Sequence, residues 1–181
     1  YMQDMVESLL GLSMLQAGRL RLLPMPTDLG AVVRQAVARN RVYAERKQIT
    51  LGMYFERDLP NIIADDSRIM QVLENLIGNA IKFGPPGTRI DIHARPDAGG
   101  VLCEVTDNGP GIPPEDIEQL FRPFSSSKKG RGTGLGLPVS QKILSEHGGR
   151  VVVDSDPGRG SRFIIELPAV APFSSPPTTS H

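Results

Sequence analysis

At 181 residues and 19.6 kDa the chain has room for one full domain and a small appendage, and its 39% of hydrophobic residues excludes wholesale disorder. Lysine and arginine number 20, as do aspartate and glutamate, so the formal net charge is zero and the basic excess that nucleic-acid partners favour is missing. The single cysteine, Cys103, excludes an internal disulfide framework and any zinc site built on two thiolates.

No run approaches ~18 apolar residues, so neither a membrane span nor membrane contact is expected of this chain. No signal segment opens it, and Tyr1 in place of Met reads as a fragment or processed form of a cytoplasmic protein. Residues 2–17 read as a helix. Met2, Met5, Leu9 and Leu12 form a narrow apolar seam on it, which on so short a helix needs a partner. Gly18 ends it, and a connector containing Pro24 and Pro26 runs to residue 28. A second helix spans about Leu29–Lys47, capped by Thr27 or Asp28, with Leu29, Val32, Val33, Ala36, Val37 and Ala44 as its buried face. Ile49, Leu51, Met53 and Phe55 then alternate with Thr50, Gly52, Tyr54 and Glu56, the pattern of a half-buried strand.

A third helix covers about Ser67–Phe83, capped by Asp65 or Asp66 and stopped by Pro85 and Pro86. Ile69, Val72, Leu73, Leu76, Ile77 and Ala80 form its core stripe. Two alternating strands follow, one carrying Ile90, Ile92 and Ala94 and the other Val101, Cys103 and Val105, with a turn at Gly99-Gly100. Residues 107–136 hold no long periodic pattern. A helix from about Leu137 to His147 is closed by Gly148-Gly149, and strands Val151–Ser155 and Arg162–Leu167 form a hairpin around Pro157-Gly158-Arg159-Gly160. Residues 168–181 carry no Asp, Glu, Lys or Arg and read as a flexible tail. The tally predicts an α+β fold, a two-layer sandwich with helices on one face of a mixed, mostly antiparallel sheet.

Three constellations carry chemistry. Gln71, Asn75, Gly78, Asn79 and Lys82 share one face of the third helix. An ordinary solvated face is one reading. The other uses amide oxygens for a hard cation and the lysine for a phosphate, since Asn is a poor helix former and solvated faces favour Glu and Lys. Asp107-Asn108-Gly109-Pro110-Gly111-Ile112 directly follows a strand. It suits a turn, but glycines at this spacing also let a ligand approach the backbone, and the carboxylate can accept from the exocyclic amine of adenine. Gly130, Gly132, Gly134 and Gly136 alternate ahead of a helix with Pro138 in its first turn. A helix N-terminus offers N–H groups and a favourable dipole to anions. The spacing fits neither the phosphate-loop nor the dinucleotide fingerprint. A flexible linker is the plain alternative, against which Leu135 and Leu137 stand between and after the glycines.

In this order the three resemble the ATP-binding domain of sensor histidine kinases, in the superfamily shared with gyrase, heat-shock chaperone and mismatch-repair ATPases. Asn75–Phe83 resembles that family's asparagine box, Asp107–Ile112 its first glycine box, Phe121-Arg122-Pro123-Phe124 its phenylalanine box, and Gly132-Thr133-Gly134-Leu135-Gly136-Leu137 its second glycine box. His147-Gly148-Gly149 and Gly158–Phe163 match its closing stretches. The resemblance implies residues 1–23 as the end of a dimerisation helix with its connector, 24–167 as the catalytic domain and 168–181 as the tail.

It further implies ATP and Mg²⁺ as cofactors. Asp107 would hold the adenine amine, with Ser161 near it through solvent. Gly109, Gly111 and Ile112 would lie along the nucleotide, and Asn79 would ligand the metal. Lys82 would meet phosphate and Phe83 the nucleoside. Residues 113–131 would form a lid anchored by Phe121 and Phe124, for which core filling is the alternative. Lys128, Lys129 and Arg131 are lid contacts or solvated charges. Gly132, Thr133, Gly134, Leu135, Gly136 and Leu137 would wrap the phosphates.

Asn75 is assigned both nucleotide binding and a part in catalysis. ATP-hydrolysing members carry Glu there as a base for water, and an amide cannot take that proton. Glu74 stands about 100° further round the helix and should not substitute. This favours phosphoryl transfer to a protein histidine. None of His93, His147 and His181 sits in a phosphoacceptor box, so the acceptor would be supplied by another part of the protein or a dimer mate, and the chain should not autophosphorylate alone. The implied downstream partner is a response-regulator receiver domain, and the parent protein is free to be membrane-anchored. Two alternatives are a nucleotide-responsive interaction module without transferase activity and a protein-serine kinase of the same superfamily.

Overall fold

The computed structural model describes residues 11, 13–16, 18–125 and 133–169. The seam residues Met2, Met5, Leu9 and Leu12, the glycines Gly130 and Gly132, the cations Lys128, Lys129 and Arg131, and the tail from residue 170 lie outside them. Among the described residues, Gly11 and residues 13–16 are helical, and strands β1 (Met25–Thr27), β2 (Thr50–Phe55), β3 (Ile62–Ala64), β4 (Arg89–Asp97), β5 (Gly100–Asp107), β6 (Arg150–Asp156) and β7 (Gly160–Pro168) are interspersed with four further helices. These are α1 (Leu29–Arg46), α2 (Asp66–Phe83), α3 (Pro114–Ile117) and α4 (Gly136–Glu146).

The main sheet has the order β2-β4-β5-β7-β6, with β2 parallel to β4 and every other neighbour antiparallel. Its strands present Ile90, Ile92, Val101, Cys103, Val105, Phe163, Ile165 and Leu167 to a buried core shared with α1, α2 and α4. The opposite face carries a registered row of Tyr54, His93, Glu104, Ile164 and Val152. That face is mostly polar, with Glu104 held between Arg95 and Arg162. This is the predicted two-layer α+β arrangement. Among the described residues no helix is long and apolar enough to cross a membrane.

Two features depart from the sequence expectation. The connector before α1 is not irregular throughout: β1 pairs antiparallel with β3, and Thr27 Oγ1 donates to Ala64 O at 3.1 Å. Three-residue strands are too short to show alternation. The 107–136 stretch holds the single turn of α3, opened by two prolines that suit a first helical turn.

Helix caps resolve as one of each offered pair. Asp28 Oδ1 accepts from Ala31 N at 3.1 Å and Asp65 Oδ1 from Arg68 N at 3.2 Å. Asp65 does more than cap. Its other oxygen accepts from Leu23 N at 3.0 Å, tying the connector to α2. Its own N–H donates to Nε2 of the buried His147 at 3.0 Å. That contact makes Nε2 the acceptor, so Nδ1 carries the proton and donates to Ile143 O at 2.7 Å.

Burial raises the Asp65 pKa, but hydrogen bonds from Ser67, Leu23 and Arg68, with the Arg68 charge, outweigh it and hold the carboxyl below its ordinary value. Replacing Asp65 with Ala should therefore cost about 2 kcal/mol of stability at neutral pH. A depressed folded-state pKa makes this contribution full above the ordinary carboxylate range and lost as pH falls through the folded value. Thermal unfolding of both proteins from pH 7 to pH 3 should show the gap narrowing at the acid end.

Candidate functional site

Helix α2 gathers the three constellations. Its start is set by the Asp65 cap and its apolar stripe is buried except for Ala80, which is only partly covered, so Asn75, Asn79 and Lys82 are left half-buried on the other side. Asn75 Nδ2 donates to Gly136 O at 3.2 Å and to Ser140 Oγ at 3.1 Å, tying α2 to the first turns of α4. That brings the second glycine segment, from Thr133 through Gly134, Leu135 and Gly136 to Leu137, against the asparagine face. Leu135 is buried in support, while Thr133, Gly134, Gly136 and Leu137 remain partly open.

The first glycine segment meets the other end of α2. Asn108 accepts from Arg89 N at 2.7 Å through its side chain, and its own N–H donates to Arg89 O at 3.2 Å. A side chain at Gly109 would come within 3.7 Å of Gly84 Cα, just beyond α2. Lys82 Nζ sits 5.6 Å from the centre of the half-exposed Phe83 ring.

Asp107 ends β5, half-buried and in register with Ser161 of β7. Desolvation raises its pKa, opposed by hydrogen bonds from Gly109 N, at 2.8 Å, and from the Ser161 backbone. A carboxylate kept in a partly dry place at such a cost is a mark of a binding site. The loop around it is held by close backbone approaches. At Gly111 (φ +72°) an added Cβ would lie 2.0 Å from Asp156 O, and Ile112 N donates to Ser155 Oγ at 2.9 Å. The Ser161 hydroxyl is buried and bonded to Ser155 Oγ at 3.0 Å.

Five other sequence candidates are placed. Glu74 forms an ion pair with Arg39 of α1 at 3.0 Å. Phe124, at φ +64°, is 58% exposed, so core filling is not its role; its N–H donates to Gly134 O at 3.2 Å. Phe121 lines a cleft of about 440 Å³ with Leu15, Pro138 and Lys142. Cys103 is buried in β5 with its thiol pushed up to about 12 by desolvation, so it is no nucleophile. His93 stacks on Tyr54 at 4.5 Å on the outer sheet face.

Residues 64–171 match the family of histidine kinase-, DNA gyrase B-, and HSP90-like ATPases. The chain belongs to this family. Its relatives are sensor kinases. It is 35% identical over 165 residues to the alginate biosynthesis sensor protein KinB of Pseudomonas aeruginosa, covering 91% of this chain and 28% of KinB. It is 36% identical over 173 residues to the sensor-like histidine kinase SenX3 of Mycobacterium tuberculosis, covering 92% of this chain and 42% of SenX3. The chain thus spans less than half the length of these relatives.

Among solved structures, full-length ShkA in complex with AMPPNP superposes with a TM-score of 0.84 at 32% identity, over 92% of this chain and 35% of that one. The catalytic domain of histidine kinase ThkA superposes at 0.73 and 30% identity, over 83% of this chain and 97% of that one. ThkA in complex with the response regulator protein TrrA superposes at 0.75 and 28% identity, over 93% of this chain and 47% of that one. The chain is a histidine kinase catalytic, ATP-binding domain.

Proposed function

We propose that this kinase domain binds Mg-ATP between α2, the loop after β5 and the start of α4, and transfers the γ-phosphoryl group to a histidine on a helical hairpin of the same protein or its dimer mate. The observation that carries the reading is the identity of the groups at the α2–α4 contact. Asn75 stands where a hydrolysing site needs a carboxylate, and the neighbouring carboxylate of Glu74 is held by Arg39. An amide cannot take a proton from water, and Glu74 stands on another face of the helix beside Arg39, so the γ-phosphoryl waits for a protein nucleophile.

The residues present fit a magnesium ion carried in with the nucleotide. Asn75 and Asn79 offer neutral amide oxygens one turn apart, the hard donors such an ion prefers. No cluster of three or more His, Cys, Asp or Glu among the described residues could hold a metal independently. Asn79 would hold the ion, which supplies charge neutralisation on the phosphate oxygens. Asp107 would read the adenine amine, the Gly134–Leu137 segment would hold the phosphates on the N-terminus of α4, and Lys82 would meet them from α2. Catalysis here is positioning: the bond from the γ-phosphorus to the bridging oxygen breaks as a bond to the imidazole nitrogen forms.

The histidine kinases among its relatives, and the ThkA–TrrA complex, support an aspartate-bearing response regulator as the downstream partner. Mixing the chain with a purified helical hairpin bearing a phosphoacceptor histidine and γ-labelled ATP tests the reading. An acid-labile, base-stable label on the hairpin is expected. Acid-stable label would point to serine, and binding without transfer to an interaction module.

A further inference from the structure

Helix α2, which carries Asn75, Asn79 and Lys82, ends against a corner that none of the site's sequence motifs includes. The Lys47 ammonium, just after α1, lies 2.7 Å from Ile81 O and 2.7 Å from Lys82 O. Those carbonyls belong to the two peptide groups on either side of the Lys82 Cα. Both fall in the last turn, where carbonyls lack intrahelical partners and a cation also meets the negative end of the helix dipole. The backbone next to Lys47 continues the grip. Gln48, at φ +57°, accepts from Gly87 N at 2.9 Å, and Thr50 N donates to Thr88 O at 3.0 Å. Residues 47–50 therefore bracket the stretch from Ile81 to Thr88, which contains both Lys82 and Phe83.

We infer that Lys47 is a positioning residue for nucleotide binding: by fixing the peptides that flank Lys82, it sets the direction from which the Lys82 side chain reaches the phosphates. The inference rests on the Mg-ATP reading of the site. A lysine serving only as a helix cap would stabilise α2 without coupling to Lys82. A long flexible side chain held by two charge-assisted hydrogen bonds on one residue's own peptides orients that residue as well.

A double-mutant cycle separates the two roles. Titration calorimetry with magnesium and a non-hydrolysable ATP analogue compares the wild-type chain with Lys47→Met, Lys82→Met and the double variant, each well below its melting temperature. Lys47→Met should weaken binding about fivefold, and the double variant should bind no more weakly than Lys82→Met alone. Lys47→Arg, which keeps donors for both carbonyls, should bind within about twofold of wild type. Wild-type affinity in Lys47→Met, or losses that add in the double variant, overturns the inference and leaves the nucleotide site standing. A wild-type chain that binds no nucleotide overturns both. If Lys47→Met does not fold, Lys47→Gln carries the same comparison.

Discussion

Replacing Asp107 with Asn should weaken Mg-ATP binding by about 1–3 kcal/mol while leaving the fold at least as stable as before. The two halves of this expectation have one cause. The carboxylate accepts from Gly109 N and from the Ser161 backbone, and a further acceptor site is needed for the adenine amine. An asparagine has only one acceptor oxygen, so its NH₂ must face either the Gly109 N–H or the adenine amine, and one donor loses its partner. Without nucleotide the balance reverses. Desolvation raises the Asp107 pKa above its ordinary value. A raised folded-state pKa gives stability that is full below the unfolded value and lost as pH rises through the folded one, so at pH 7 the ionised group costs stability. The neutral amide removes that cost. Calorimetric titration should show the lost affinity, and thermal unfolding without nucleotide should show an equal or higher midpoint at pH 7, converging with wild type at acid pH. Unchanged ATP affinity would move adenine recognition away from Asp107.

Gly160→Ala should destabilise the domain by about 3 kcal/mol or more and take nucleotide binding with it. Gly160 opens β7 at φ +92°, and a Cβ there would stand 1.9 Å from Asp107 O and 2.9 Å from Asn108 Cα. The obstacle is backbone, so it cannot rotate away. Either β7 separates from β5 or the Asp107 loop shifts, and both displace the carboxylate. Gly158→Ala is the control. It too has a positive φ, +79°, but nothing lies within 4 Å of its added Cβ, so only backbone strain of about 1 kcal/mol applies. Urea unfolding of the two variants should separate close approach from conformational strain, and similar losses in both would refute the packing argument.

Much of this site is legible along the chain because its parts are local. The asparagine face of α2 follows from helical periodicity, and the two glycine segments from short-range spacing. What joins them is not local. That Asn75 is engaged by Gly136 and Ser140, that Glu74 is occupied by Arg39, and that His147 is buried against Asp65 depends on partners 61 and 65, 35, and 82 positions away in sequence. The β1–β3 pair is not legible in the sequence for the same reason. Three residues show no period, and only the arrival of Ile62–Ala64 makes Met25–Thr27 a strand.

The sequence by itself determined the order of the longer helices and strands, the α+β class, and which residues have the chemistry to meet a nucleotide, since periodicity, caps and side-chain functional groups all act within a few residues. The tertiary structure alone decided the parallel placement of β2 beside β4, the crossing of α2 and α4 through Asn75, and the hold of Lys47 on the peptides around Lys82. Each of these depends on two distant stretches of backbone arriving at hydrogen-bonding distance, and that is set by how the whole core packs rather than by any neighbouring residues.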